Sequence, residues 1–216
     1  GGFLMSNTTL HNENVSVTLK SLGAELTSIK DASGTEYLWQ GNPEFWSGQA
    51  PVLFPIVGCL RNGTATIGDN KTCSFGRHGL ARRLEFDLVS SSDTSVTYSL
   101  KANDKTKEQY PYDFELQMTY ELTEHGVKVS HTVINHDSVV MPYCVGGHPA
   151  FNCPVFENES FEDYIVEFEQ PENAACAQLT EDGLINNADR VSVLENEAVI
   201  PVRHSLFYKD ALVFDA

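Results

Sequence analysis

"FELQMTYELTEHGVKVSHTVIN", residues 114–135, decides the fold class. Phe114, Leu116, Met118, Tyr120 and Leu122 occupy every second position, with Glu115, Gln117, Thr119 and Glu121 between them. A period of two sends one set to one face of a strand and the other set to the opposite face. "TEHG" (123–126) interrupts the run as a turn, and "VKVSHTVIN" (127–135) resumes it. Each strand then has one face inward and one face in water, the habit of antiparallel sheets.

The same rule governs the sequence on either side. "VSVTLK" (15–20), "AELTSI" (24–29), "EYLWQ" (36–40), "LEFDLV" (84–89) and "SVTYSLK" (95–101) read as strands, as do "YIVEFE" (164–169), "AVIPVR" (198–203) and "LFYKDALVFDA" (206–216). Turn chemistry falls between them in "DASG", "GNP", "SSSD" and "NHDS". Helical signals are thin: one turn in "NPEFWSG" (42–48) and a short helix in "NDKTKEQYP" (103–111), ended by Pro111. No helices alternate with the strands, so a parallel α/β fold is excluded. The expectation is all-β: one large antiparallel β-sandwich domain over residues 1–216, without linker, repeat or low-complexity tract. The closing "DALVFDA" reads as a strand with no stop signal, and a sandwich broken there leaves an unpaired edge. The chain is therefore expected to be cut short of its natural C-terminus.

Composition narrows the function. Hydrophobic residues make up 41% and charged residues 20%, a globular balance. Thirty acids against 14 bases give a net charge of -16, which disfavours nucleic acid and anionic membrane as partners. A neutral or weakly charged small molecule suits it better. No apolar run is long enough to span a bilayer. Five cysteines, an odd count without a CxxC pair, suggest neither a disulfide framework nor a zinc site and fit a reducing cytoplasm. "GGFLMSNTTL" lacks a signal-peptide pattern, with Met5 read as the initiator and the four residues before it as an appended remnant. Five N-x-S/T triplets, without an export signal, are read as accidents of composition.

Two histidine-bearing stretches could carry chemistry. In "VGGHPAF" (145–151), Gly146 and Gly147 allow close backbone approach or positive φ. Pro149 restricts itself and pushes His148 toward an extended backbone. An imidazole fixed at a strand end suits a general acid, since imidazoles ordinarily titrate near neutrality. It equally suits a turn histidine packed for structure. In "FGRHGLARR" (75–83), His78 is crowded by Arg77, Arg82 and Arg83, whose forks fit sugar hydroxyls, carboxylates or phosphates, or else form a solvated basic turn. "PVLFPIVGCLRNG" (51–63) closes on Arg61 and an Asn-Gly turn. Arg61 either points into a pocket beside the histidines or stays on the surface. Trp39, Trp46, Tyr112 and Phe151 are either sugar-stacking surfaces or core. No metal-ligand spacing, nucleophile elbow or phosphate loop is present. Cys144 and Cys153 flank His148 without a context that would stabilise a thiolate.

"GAELTSIKD", "EYLWQGNPEFW", "PVLFPIVGCLRNG", "RHGLARRLEFDL", "YPYDFELQMTYEL" and "GGHPAFNCP", in that order, resemble the aldose 1-epimerase (galactose mutarotase) superfamily, and within it the LacX-like branch. The resemblance covers nearly the whole chain. It implies a galactose mutarotase-like supersandwich and a reaction that exchanges the α and β anomers of a free aldose without cofactor or metal. It also implies roles. His148 matches the histidine that protonates the ring oxygen, and His78 the second histidine that holds that oxygen. Arg61 matches a substrate-binding arginine, and Arg82 is expected to line the same pocket. Asp210, in "KDALVF", stands where a carboxylate grips sugar hydroxyls.

The sequence departs from the pattern in two places. The general base implied by the resemblance is a glutamate after Asp210, where only "ALVFDA" follows. The quoted chain is thus expected to lack half of its acid/base pair, while the native protein is expected to be active. Cys59 replaces a basic residue often found after "VG". Two other readings stay open: a hexose-6-phosphate 1-epimerase using Arg77, Arg82 and Arg83, and a carbohydrate-binding sandwich without catalysis.

Overall fold

The computed structural model describes residues 6–214. Met5 therefore lies outside the described residues, as do the last two positions of the expected final strand. The chain divides into two compact units, Gly1–Asn152 and Cys153–Ala216.

The first unit opens with β1 (Asn7–His11), β2 (Val15–Lys20) and β3 (Glu25–Asp31), an antiparallel sheet in the order β1-β2-β3. β4 (Val52–Leu53) and the hairpin β5 (Thr64–Ile67) and β6 (Lys71–Ser74) follow. A second antiparallel sheet is built from β7 (Asp87–Ser91), β8 (Ser95–Lys101), β9 (Phe114–Leu122) and β10 (Val127–Asn135), in the order β10-β9-β8-β7. β9 and β10 pair without a slip from Leu122↔Val127 to Phe114↔Asn135, as the alternation in 114–135 requires. α1 (Asp104–Gln109) joins β8 to β9. Asn103 caps it by accepting from the Thr106 N–H, while the Thr106 hydroxyl oxygen accepts from the Asn103 N–H. The helix ends two residues before Pro111 rather than at it, because Tyr110 already has extended backbone.

Both sheets turn their apolar positions into one core. Leu10, Val17 and Leu19 from one sheet and Val96, Tyr98, Leu116 and Met118 from the other are fully buried in it. The buried tyrosines keep their hydroxyls satisfied across it: Tyr98 donates to Thr8 Oγ1 at 2.8 Å and Tyr120 to the Ala24 carbonyl at 2.6 Å. β11 (Gly146–Gly147) closes the unit by pairing antiparallel with β4.

The second unit is an antiparallel hairpin, β12 (Ile165–Leu179) and β13 (Ile185–Pro201). These strands run well beyond the expected 164–169 and 198–203. Four register shifts interrupt the pairing, which explains why no steady alternation announces it.

Three other expectations need correction. Residues 36–40 form bridges rather than a strand, because the Glu36 carboxylate takes the N–H groups of Ile29 and Leu38. Residues 84–86 precede β7 instead of starting it, since a 3-10 turn at Ala81–Arg83 delays entry to the sheet. Residues 204–207 form another 3-10 turn, with only a bridge at Ala177↔Val213 beyond it. No helix among the described residues is long and apolar enough to cross a membrane.

Candidate active site

His148 and His78 come from distant parts of the sequence and meet, their ring centroids 5.4 Å apart and tilted by 58°. Both hang on the run 51–58. His148 follows β11 directly, and its backbone N–H donates to the Pro51 carbonyl at 3.1 Å. Two residues of ladder, Gly146↔Leu53 and Gly147↔Val52, fix where the strand ends. Gly146 and Gly147 are extended strand residues, so the left-handed backbone allowed for them is not used.

The left-handed positions lie at the other histidine. His78 has φ 67° and Gly79 φ 75°. Histidine is among the side chains that tolerate this region. Gly79 is required more strictly: a Cβ there would lie 2.2 Å from the Phe54 carbonyl oxygen. That close approach lets the Leu80 N–H donate to Phe54 O at 2.9 Å. The His78 N–H donates to Gly58 O at 2.8 Å, and the Gly58 N–H returns a bond to His78 Nδ1 at 3.0 Å. With Nδ1 an acceptor, neutral His78 carries its proton on Nε2 and is a donor there. Burial pushes the His78 pKa down, and the neighbouring His148, Arg82 and Arg77 push it the same way. His78 is half-buried, and His148 is exposed.

A third ring joins them. Trp46 lies 5.2 Å from the His148 imidazole at a tilt of 50°. The segment behind is braced by Glu25, a buried residue whose Oε1 accepts from the N–H groups of Gln49 and Ala50 at 3.0 and 2.9 Å. Its other oxygen pairs with Lys20 Nζ at 2.6 Å. Sequence reasoning passed over Glu25. Its partners Gln49 and Ala50 lie 24 and 25 positions away, beyond any local pattern.

Of the candidate binding residues, Arg82 reaches the histidine pair most directly. It is half-buried, and its charge acts on His78. Its Nη2 donates to the Arg77 carbonyl at 3.1 Å, while its Nε is buried without a hydrogen-bond partner. Arg61 is exposed at the start of a 3-10 turn, Arg61–Gly63, and no hydrogen bond, ion pair or ring contact joins it to either histidine. Asp210 belongs to the second unit, where it is exposed at φ 75° and its Oδ1 accepts from the Ala211 N–H at 2.7 Å. Tyr112, offered as a stacking surface, is core at 1% exposure, whereas Phe151 is 62% exposed. Burial and Glu159 push the Cys153 thiol up, the reverse of an activated nucleophile. Among the described residues, no group of three His, Cys, Asp or Glu is placed to hold a metal ion.

The arrangement sets two imidazoles side by side, with an arginine of spare donor capacity near one and a tryptophan ring against the other. Comparison with known proteins gives a family and a shared fold. Residues 6–198 match the family model described as aldose 1-epimerase. The plasmid-encoded Protein LacX of Lactococcus lactis subsp. lactis is 43% identical over 212 residues, covering 95% of this chain and 71% of LacX. The structure of a galactose mutarotase related enzyme from Lactobacillus acidophilus superposes with a TM-score of 0.91 at 32% identity, over 98% of this chain and 70% of that one. A galactose mutarotase-like protein from Lactobacillus casei gives a TM-score of 0.84, also at 32% identity, over 95% of this chain and 70% of the other.

Proposed function

Because the chain belongs to the aldose 1-epimerase family, we propose that it interconverts the α and β anomers of a free hexose by acid/base ring opening. His148 donates a proton to the ring oxygen as general acid. His78, protonated on Nε2, holds that oxygen by a hydrogen bond. A base removes the anomeric hydroxyl proton, the C–O bond of the ring breaks, and the freed aldehyde carbon rotates. Closure on the other face reverses each proton transfer. The resemblance puts the base on a glutamate C-terminal to Asp210. Arg61 and Arg82 are the proposed contacts to sugar hydroxyls within the first unit, and no cofactor enters the chemistry.

The observation that carries the reading is the 5.4 Å spacing of the two imidazole centroids. It lets both rings face one oxygen atom. The test is two-dimensional exchange NMR on glucose and galactose with the purified protein. Exchange should run well above the buffer rate. His148→Ala should lower kcat by about 10²–10⁴-fold and alter KM less. Exchange at the uncatalysed rate leaves a sugar-binding protein without catalysis. A His148→Ala protein as fast as the wild type removes His148 from its role.

One observation favours a second reading, a hexose-6-phosphate 1-epimerase. The buried Arg82 Nε has no protein partner, and Arg77 adds charge beside it. Faster exchange of glucose 6-phosphate than of glucose, with the preference lost in Arg82→Ala, would select it.

A further inference from the structure

The acid/base reading gives no task to Trp46, although the local structure is built around it. The Trp46 N–H donates to the Asn42 carbonyl at 2.9 Å, closing one helical turn. Trp39 Nε1–H donates to the Trp46 carbonyl at 2.7 Å. The Trp39 backbone N–H donates to Ala150 O at 2.9 Å, two residues beyond His148. One tryptophan thus ties the loop to the segment that bears the proposed acid. Gly48 makes the room: a Cβ there would meet Trp46 Cζ2 at 2.5 Å and Cε2 at 2.7 Å.

A tryptophan placed only for packing would be buried, as Tyr110 and Tyr112 are at 1% exposure. Trp46 is half-buried, stands outside the core cluster, and lies beside an exposed imidazole. A pyranose has faces made of C–H groups, and an indole plane is the protein surface that matches them.

We infer that Trp46 is the platform for the apolar face of the sugar ring, holding a neutral hexopyranose with its ring oxygen toward His148. This rests on the reading of the site as a sugar isomerase and adds a binding residue to it. The platform contributes to binding and leaves the proton transfers to other groups.

The test uses methyl β-D-galactopyranoside and methyl β-D-glucopyranoside, whose blocked anomeric centres cannot open. Titrating either into the wild type should give a saturable change in tryptophan fluorescence. Trp46→Phe, which retains Trp39, should lose that change. With the free sugars, Trp46→Ala and Gly48→Ala should raise KM about 3–10-fold with kcat within about twofold. A fluorescence response that persists in Trp46→Phe overturns the inference. So does a wild type that catalyses exchange yet shows no response to either glycoside, a result that needs no variant to fold. A wild-type response without any anomer exchange leaves the platform standing and sinks the isomerase reading instead.

Discussion

The two units are both antiparallel β, yet they hold their strands by different means. In β8 and β9 of the first unit, Val96, Tyr98, Leu100, Phe114, Leu116, Met118 and Tyr120 are buried, each on the inward face of an uninterrupted strand. In the hairpin of the second unit, Ile165, Val166, Ile185, Val191 and Val199 are exposed, while Cys176, Ala177, Leu194 and Ile200 are buried. The first unit rests on side chains packed between two sheets. The second rests more on its backbone ladder, and a two-stranded ladder is a weak source of stability. Strand pairing and core formation are therefore separable here, and only the latter writes a periodic pattern into the sequence.

The sharpest way to break this contrast is Gly79→Ala. The left-handed backbone costs an alanine about 1–3 kcal/mol, and the clash with Phe54 O adds about 1–3 kcal/mol. A loss of roughly 2–6 kcal/mol in urea unfolding is expected, with the first unit's near-ultraviolet dichroism collapsing first. A midpoint equal to the wild type's would show that the 76–80 turn adapts freely.

Next comes a matched pair, Leu116→Ala and Ile185→Ala. Leu116 is 0% exposed, so its truncation should cost about 2–5 kcal/mol. Ile185 is 53% exposed, so the same kind of truncation should cost under about 0.5 kcal/mol. Equal costs would erase the distinction between packed and laddered strands.

The smallest effect concerns pH. Burial lowers the pKa of both His78 and His131 in the first unit. The unfolded chain then binds protons more readily than the folded one in the range just below the ordinary histidine pKa. Stability from these two groups should be full above about pH 6.5 and decline as the pH falls below it. Urea midpoints between about pH 5 and 8 check the sign. A flat profile, or a midpoint rising on acidification, contradicts it.

Sequence legibility follows the same divide. β2, β8, β9 and β10 begin and end where the alternation does, because each has one face against a core. Residues 170–197 could not be read as strand, since register shifts and outward apolar side chains blur the period. At the candidate site, both histidines stood out through their glycine and proline neighbours. What holds them did not. The Gly58 N–H to His78 Nδ1 and the Glu25 clamp on Gln49 and Ala50 join residues at least 20 positions apart. No local pattern encodes such partners. Trp46 was visible only as one aromatic among several, because its half-exposed setting depends on Gly48 and Trp39 together.

Because residues 51–58 carry a backbone bond to each histidine, that octapeptide works as a ruler for the gap between them. Drift in more remote scaffold would translate both rings in concert and leave their separation intact. Substitutions at an exposed side chain outside it, such as Phe45 at 76% exposure, would accordingly leave the ruler alone. Lengthening the ruler by a single amino acid would be expected to part the two rings while sparing the sandwich beneath.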